Sequence, residues 1–91
     1  MDERAHGIVL RVRPLTESSL IVHWLTPEAG RLATVAKGAR RPKSPFLGKL
    51  DLLLSADFSF QRSRKSDLHV LREIVVTDRR THLVTQLQAL R

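Results

Sequence analysis

Residues 37–50 read KGARRPKSPFLGKL: five basic side chains, no acid, two glycines and two prolines. Strand-like segments lie on either side, so the stretch interrupts a sheet rather than belonging to one. Pro42 and Pro45 exclude a regular helix across its first half, because proline lacks the N–H and its ring clashes with the preceding turn. The later PFLGKLDLL has room for one helical turn. Where this insert falls in the series of strands decides which barrel the chain can build.

Downstream, the hydrophobic period is two. Leu50, Leu52, Leu54, Ala56, Phe58 and Phe60 alternate with Asp51, Ser55, Asp57, Ser59 and Gln61, with Leu53 the exception. This predicts a half-buried strand from about Leu53. RSRKSD (62–67) reads as a charged hairpin loop. LHVLREIVVT (68–77) then reads as the next strand, with Leu68, Val70, Ile74 and Val76 on one face.

Upstream, HGIVLRVRP is a strand in which Ile8, Leu10 and Val12 alternate with Val9, Arg11 and Arg13 until Pro14 ends it. SLIVHWLT follows a short polar connection, with Leu20, Val22 and Trp24 on one face and Ile21, His23 and Leu25 on the other. Both faces are mostly apolar, as in a strand covered on two sides or lending one side to a partner. TPEAG is a turn closed by Gly30, and GRLATVAKG returns as the third strand of the series. The expected fold is therefore all-β with five strands. Among small five-stranded barrels, the OB-fold carries its connecting segment between strands three and four, where the insert lies. An SH3-like barrel fits the strand count nearly as well.

At the end of the chain the period changes. Leu83, Leu87 and Leu90 fall at helical spacing beside Val84, with Thr81 or Asp78 as cap and no stop signal before Arg91. The expected organisation is an OB-fold nucleic-acid-binding domain over residues 1–80. A C-terminal helical segment, the start of a truncated helical region, follows over 81–91.

With 91 residues the chain makes one domain. Sixteen Lys and Arg against nine Asp and Glu give a formal charge of +7, which attracts polyanions, nucleic acid before anionic membrane. There is no cysteine, so disulfides and thiolate zinc sites are excluded. MDERAHG is not a secretory signal, and no apolar run approaches the roughly 18 residues of a membrane span. A cytoplasmic protein without membrane contact is expected.

Three groups of cations are candidate DNA contacts: Lys37, Arg40, Arg41, Lys43 and Lys49 in the insert; Arg62, Arg64 and Lys65 in the hairpin loop; and Arg11 and Arg13 on the first strand. In an OB-fold the loops joining strands one to two and four to five flank the nucleic-acid groove, so these groups would converge. Each has a plainer reading as a solvated loop. The insert rises above it because no acid compensates its charge. Aromatics argue against base stacking: Trp24, Phe58 and Phe60 sit in apolar registers, and Phe46 reads as an anchor of the insert. Binding through phosphates with little sequence preference is expected.

The four histidines, His6, His23, His69 and His82, show no metal-ligand spacing, and His23 reads as a polar residue on an outward strand face. GARRPKS lacks the glycine before lysine that a phosphate loop needs. No nucleophile–base set is visible, so neither an enzyme nor a cofactor is expected.

The residues also carry a family likeness. Arg13-Pro14 after the first strand, Glu17, Ser19 and Leu20 entering the second, Thr26 and Gly30 of the turn, and the block from Val35 to Arg40 resemble the N-terminal domain of the recombination mediator RecO in order and spacing. The resemblance implies an OB-fold at the head of a longer protein. It also implies binding of single- and double-stranded DNA, strand annealing, and work with the partner RecR in loading RecA. Contacts with single-strand-binding protein would fall to a C-terminal region that has no counterpart here. Arg13, Lys37 and Arg40 lie within the shared blocks; Arg41 and Lys43 lie where basic residues are expected. Lys49, Arg62, Arg64 and Lys65 rest on charge alone. Two other readings remain: a protein-docking module built on the two-sided second strand, and a small barrel that binds structured RNA.

Overall fold

The computed structural model describes residues 2–78. Five strands, β1 (Asp2–Pro14), β2 (Leu20–Thr26), β3 (Gly30–Ala36), β4 (Ser55–Gln61) and β5 (Leu68–Asp78), close into a barrel in the order β1-β2-β3-β5-β4. β1 pairs antiparallel with both β2 and β4, and a short parallel contact of β3 with β5, Ala33–Leu68 to Val35–Val70, completes the ring. This order, with the insert between β3 and β4, fits the OB-type barrel expected from the sequence. Among the described residues there is no helix, and hence none long and apolar enough to cross a membrane. The helical segment expected over 81–91 lies outside the described residues.

Two strands depart from simple alternation, for one physical reason. In β1 the register shifts between Val9 and Arg11: Val9 pairs with Trp24 and Arg11 with His23, leaving Leu10 as the extra residue of a bulge. Val9 is buried, so a regular strand would send Arg11 and Arg13 inward with it. The bulge turns both arginines out and brings Val12 against the core, avoiding the cost of an unpaired buried charge. The Ile8, Leu10, Val12 face expected from the sequence is thus broken at Leu10. In β5 a shift between Leu71 and Glu73 does the same. The inward residues are His69 and Leu71, then Ile74 and Val76, so Leu68 and Val70 do not share the face of Ile74 as the period suggested.

Trp24 and Phe58 stack in the barrel centre with ring centroids 4.0 Å apart. The Trp24 indole N–H donates to Thr34 Oγ1 at 3.0 Å, which satisfies the one polar atom this ring brings inside. The insert is a chain of turns rather than a helical turn: Ser44 O accepts from Leu47 N–H and Phe46 O from Lys49 N–H. Gly38 and Gly48 take the positive φ these turns require, and so does Leu53 at φ 64°. Ala39 and Phe46 from the insert, and Leu54 just after it, join the core cluster, so the segment plugs the barrel while its cations stay outside. Phe46 anchors it, as the sequence suggested.

Candidate nucleic-acid interface

The loop joining β1 to β2 (15–19) and the start of the insert lie at the same end of the barrel, because Pro14 pairs with Leu20 and Leu20 with Ala36. They are stitched together. The Arg40 backbone N–H donates to Ser18 O at 3.0 Å, Gly38 N–H to Ser19 Oγ at 3.3 Å, and the Arg40 guanidinium to Thr16 O at 3.4 Å. Thr16 Oγ1 in turn accepts from Ser19 N–H at 3.0 Å, closing the loop on itself. Arg40 therefore sits beside the β1–β2 loop, and Lys37 leaves the sheet next to it.

Arg11 and Arg13 continue this positive surface onto the outer face of the sheet. The register sets Arg11 beside His23 and His23 beside Ala33. Arg31, two positions from Ala33, faces the same way. The result is an open groove lined by Leu10, Arg11, His23, Arg31 and Ala33, with Arg62 and Asp67 of the β4–β5 connection on its far side. Arg31 escaped the reading by charge clusters because it stands alone in sequence. The alternation of Leu32, Thr34 and Ala36 inward was the signal that it points out.

His23 sits at the middle of this field. Burial lowers its pKa first, and Arg13, Arg11 and Arg31 lower it further by repulsion. The three guanidinium groups from β1 and β3 thus act on one imidazole of β2. His23 Nε2 is buried without a hydrogen-bond partner.

The third group behaves differently. Arg62 forms a two-pronged pair with Glu3 at 2.6 and 3.1 Å and lies 5.5 Å over the Phe60 ring. That pair raises the Arg62 pKa and holds the Glu3 carboxyl below its usual range. Arg62 is thus tied to the protein's own carboxylate. Arg64 and Lys65 are exposed at the end of the barrel opposite the β1–β2 loop. Among the described residues, the ion pairs with acids involve His6, Arg62 and Arg72. Arg11, Arg13, Arg31, Lys37, Arg40, Arg41 and Lys43 have no carboxylate of the described residues within 4.0 Å. Lys49, half-buried at the end of the insert, has no ion pair with an acid of the described residues either. Two of the three predicted groups therefore join, Arg31 and His23 complete them, and the hairpin tip stays apart. No three metal-type side chains gather among the described residues.

Fold and surface together define a small closed β-barrel with a cationic outer face. The sequence profile of the family described as Recombination protein O N terminal matches residues 1–80, and the chain belongs to that family. It is similar to the DNA repair protein RecO of Rhodopirellula baltica, 59% identical over 47 residues, which cover 52% of this chain and 17% of that protein. It is also similar to the DNA repair protein RecO of Bifidobacterium longum subsp. infantis, 38% identical over 64 residues covering 70% of this chain and 27% of the relative. The protein of the same name from Burkholderia pseudomallei is 43% identical over 65 residues, 71% of this chain and 23% of the relative. The matched region thus spans roughly a quarter or less of these curated relatives.

Proposed function

We propose that this domain is a non-enzymatic DNA-binding OB barrel of a DNA repair protein, holding single- and double-stranded DNA by its phosphates. One observation carries the reading: Arg11, Arg13, Arg31, Lys37, Arg40 and Arg41 form a band of cations from the insert across the outer sheet face, none paired with a carboxylate among the described residues. Intramolecular carboxylates would have to be displaced before phosphates could bind; among the described residues there are none to displace. The chemistry is electrostatic and independent of base sequence, because guanidinium and ammonium groups meet the backbone and the barrel's large rings are inside. On this reading residues 1–80 are the DNA-binding unit. The family likeness extends the proposal to annealing and RecA loading beside a RecR-like partner, with single-strand-binding protein met by parts of the protein beyond this chain.

The test is binding of a labelled single strand to the 91-residue chain at low salt. The substitution R11A/R13A/R31A weakens it by at least tenfold, whereas R64A/K65A changes it little. Equal affinities for the wild type and the triple variant would overturn the proposal. A second reading has its own support: Leu10 and Leu25 are 36% and 45% exposed on the same face, so a protein partner of the RecR kind finds apolar contact there. Binding of that kind persists at high salt, where phosphate contacts are screened.

A further inference from the structure

We infer that His23 is the centre of a phosphodiester subsite, taking up a proton when a DNA phosphate seats among Arg11, Arg13 and Arg31, so that this face grips DNA more tightly as pH falls from 8 to 6. The inference rests on the DNA-binding reading above and adds to it one residue, one ligand group and one proton.

Three geometric facts support it. Register places His23 directly beside Arg11 and two positions from the pairing partner of Arg31, in a groove open to solvent. Its Nε2 is buried and unpartnered among the described residues; leaving such an atom unsatisfied costs free energy, which the ring recovers by turning toward the groove and bonding a phosphate oxygen. Among the described residues, the arginines around it carry no carboxylate of their own. The charged and titratable groups lining the rest of the groove come from the β4–β5 side, namely Arg62, Asp67 and His69. Arg62 is already paired with Glu3, and His69 Nδ1 accepts the Ser63 backbone N–H at 2.9 Å, which occupies that nitrogen. His23 is thus the groove histidine with a buried nitrogen that has no hydrogen-bond partner among the described residues.

The sign follows from these charges. In the free protein, burial and three neighbouring arginines disfavour the imidazolium. A seated phosphate brings negative charge into the same space, offsets the arginines and accepts a hydrogen bond from the protonated ring, so bound His23 titrates higher than free His23. Binding then draws in a proton between those two values. Affinity rises as pH falls through the bound value and levels off below the free one. Each unit of difference is worth about tenfold in affinity.

The experiment uses the 91-residue chain and a labelled oligothymidylate, whose bases do not titrate between pH 6 and pH 8. Wild-type affinity should rise roughly three- to tenfold across that interval at fixed ionic strength, on the scale of about tenfold per unit. Whatever its affinity at pH 8, H23Q should lose the rise in affinity between pH 8 and pH 6. Calorimetry of the wild type in two buffers of different ionisation enthalpy should count up to one proton taken up per complex at pH 7, a readout that needs no variant. A pH dependence retained in H23Q, or no net proton uptake by the wild type, overturns the inference while DNA binding stands. Absence of binding at every pH removes the DNA-binding reading and this inference with it.

Discussion

At the scale of single residues, the interior is set by a few polar atoms that must be satisfied. Thr34 accepts from the Trp24 indole and lies within 3.4 Å of Val22 O. Thr34→Val keeps the shape and orphans a buried donor, so unfolding in urea should show a loss of about 1–3 kcal/mol. Gly7 is fixed by space: a Cβ there would stand 2.9 Å from Leu25 O, which is backbone and cannot swing aside. Gly7→Ala should destabilise by about 1–3 kcal/mol, in the range of overpacked cores, visible as a lower urea midpoint with an unchanged slope. On the outer face, the lowered pKa of His23 links stability to pH. The unfolded chain holds this proton more readily than the native one. The native state therefore loses stability as pH falls from the ordinary histidine value of about 6.5 toward the lower native value. H23Q should flatten that part of the stability profile measured by thermal melting. Glu3 has the opposite sense: the Arg62 pair stabilises above the carboxylate's usual value and is lost as pH falls through the depressed one. Being exposed, it contributes little.

At the scale of elements, the insert is the part whose role is least apparent from its composition. Its charges suggest a loose arm, yet Ala39 and Phe46 enter the core, its start is bonded to the β1–β2 loop, and Leu53 and Leu54 just after it are bonded to Val9. Its cations are thereby held at a defined place at little entropic cost on binding. Phe46→Ala should cost about 3 kcal/mol of stability or more and also weaken DNA binding, although no charge is removed. A variant that melts earlier yet binds single-stranded DNA with wild-type affinity would show that the position of the insert is irrelevant to the interface. The bulge at Leu10 has an equally direct consequence, since it alone separates buried Val9 from outward Arg11 within three residues.

At the scale of the whole molecule, the charge of +7 is unevenly arranged. One end and the outer face of β1–β3 carry cations that pair with no acid of the described residues, while Glu3, Asp57 and Asp2 are engaged with Arg62, His6 and Arg72 elsewhere. If five to six phosphates are engaged, log affinity for single-stranded DNA should fall with log salt at a slope of about −3.5 to −4, at about −0.7 per phosphate. R11A/R13A/R31A should reduce that slope by about 2 on the same scale, as measured by fluorescence anisotropy over a salt series. R64A/K65A should move it by less than about 1, because these residues lie at the other end of the barrel.

Much of this was legible in the residues because it depends on local pattern. The alternation in 54–61, the turn at Gly30 and the prolines of the insert report backbone geometry directly, and five strands with a gap after the third follow from them. The inward places of Trp24, Phe58 and Phe60 and the likeness carried by Val35 to Arg40 were equally local. Bulges, convergence and pairing were not. Leu10 and Arg72 shift the period without any marker residue, because a bulge is a response to closing the ring and to keeping charge out of the core. Arg31 and His23 become neighbours of Arg11 only when β1, β2 and β3 are laid side by side, and Arg62 is lost to Glu3 across 59 positions of chain. Side-chain period is set by the strand itself, whereas the company a charge keeps is set by which strands touch; the first is written in order along the chain, and the second exists only once the barrel has closed.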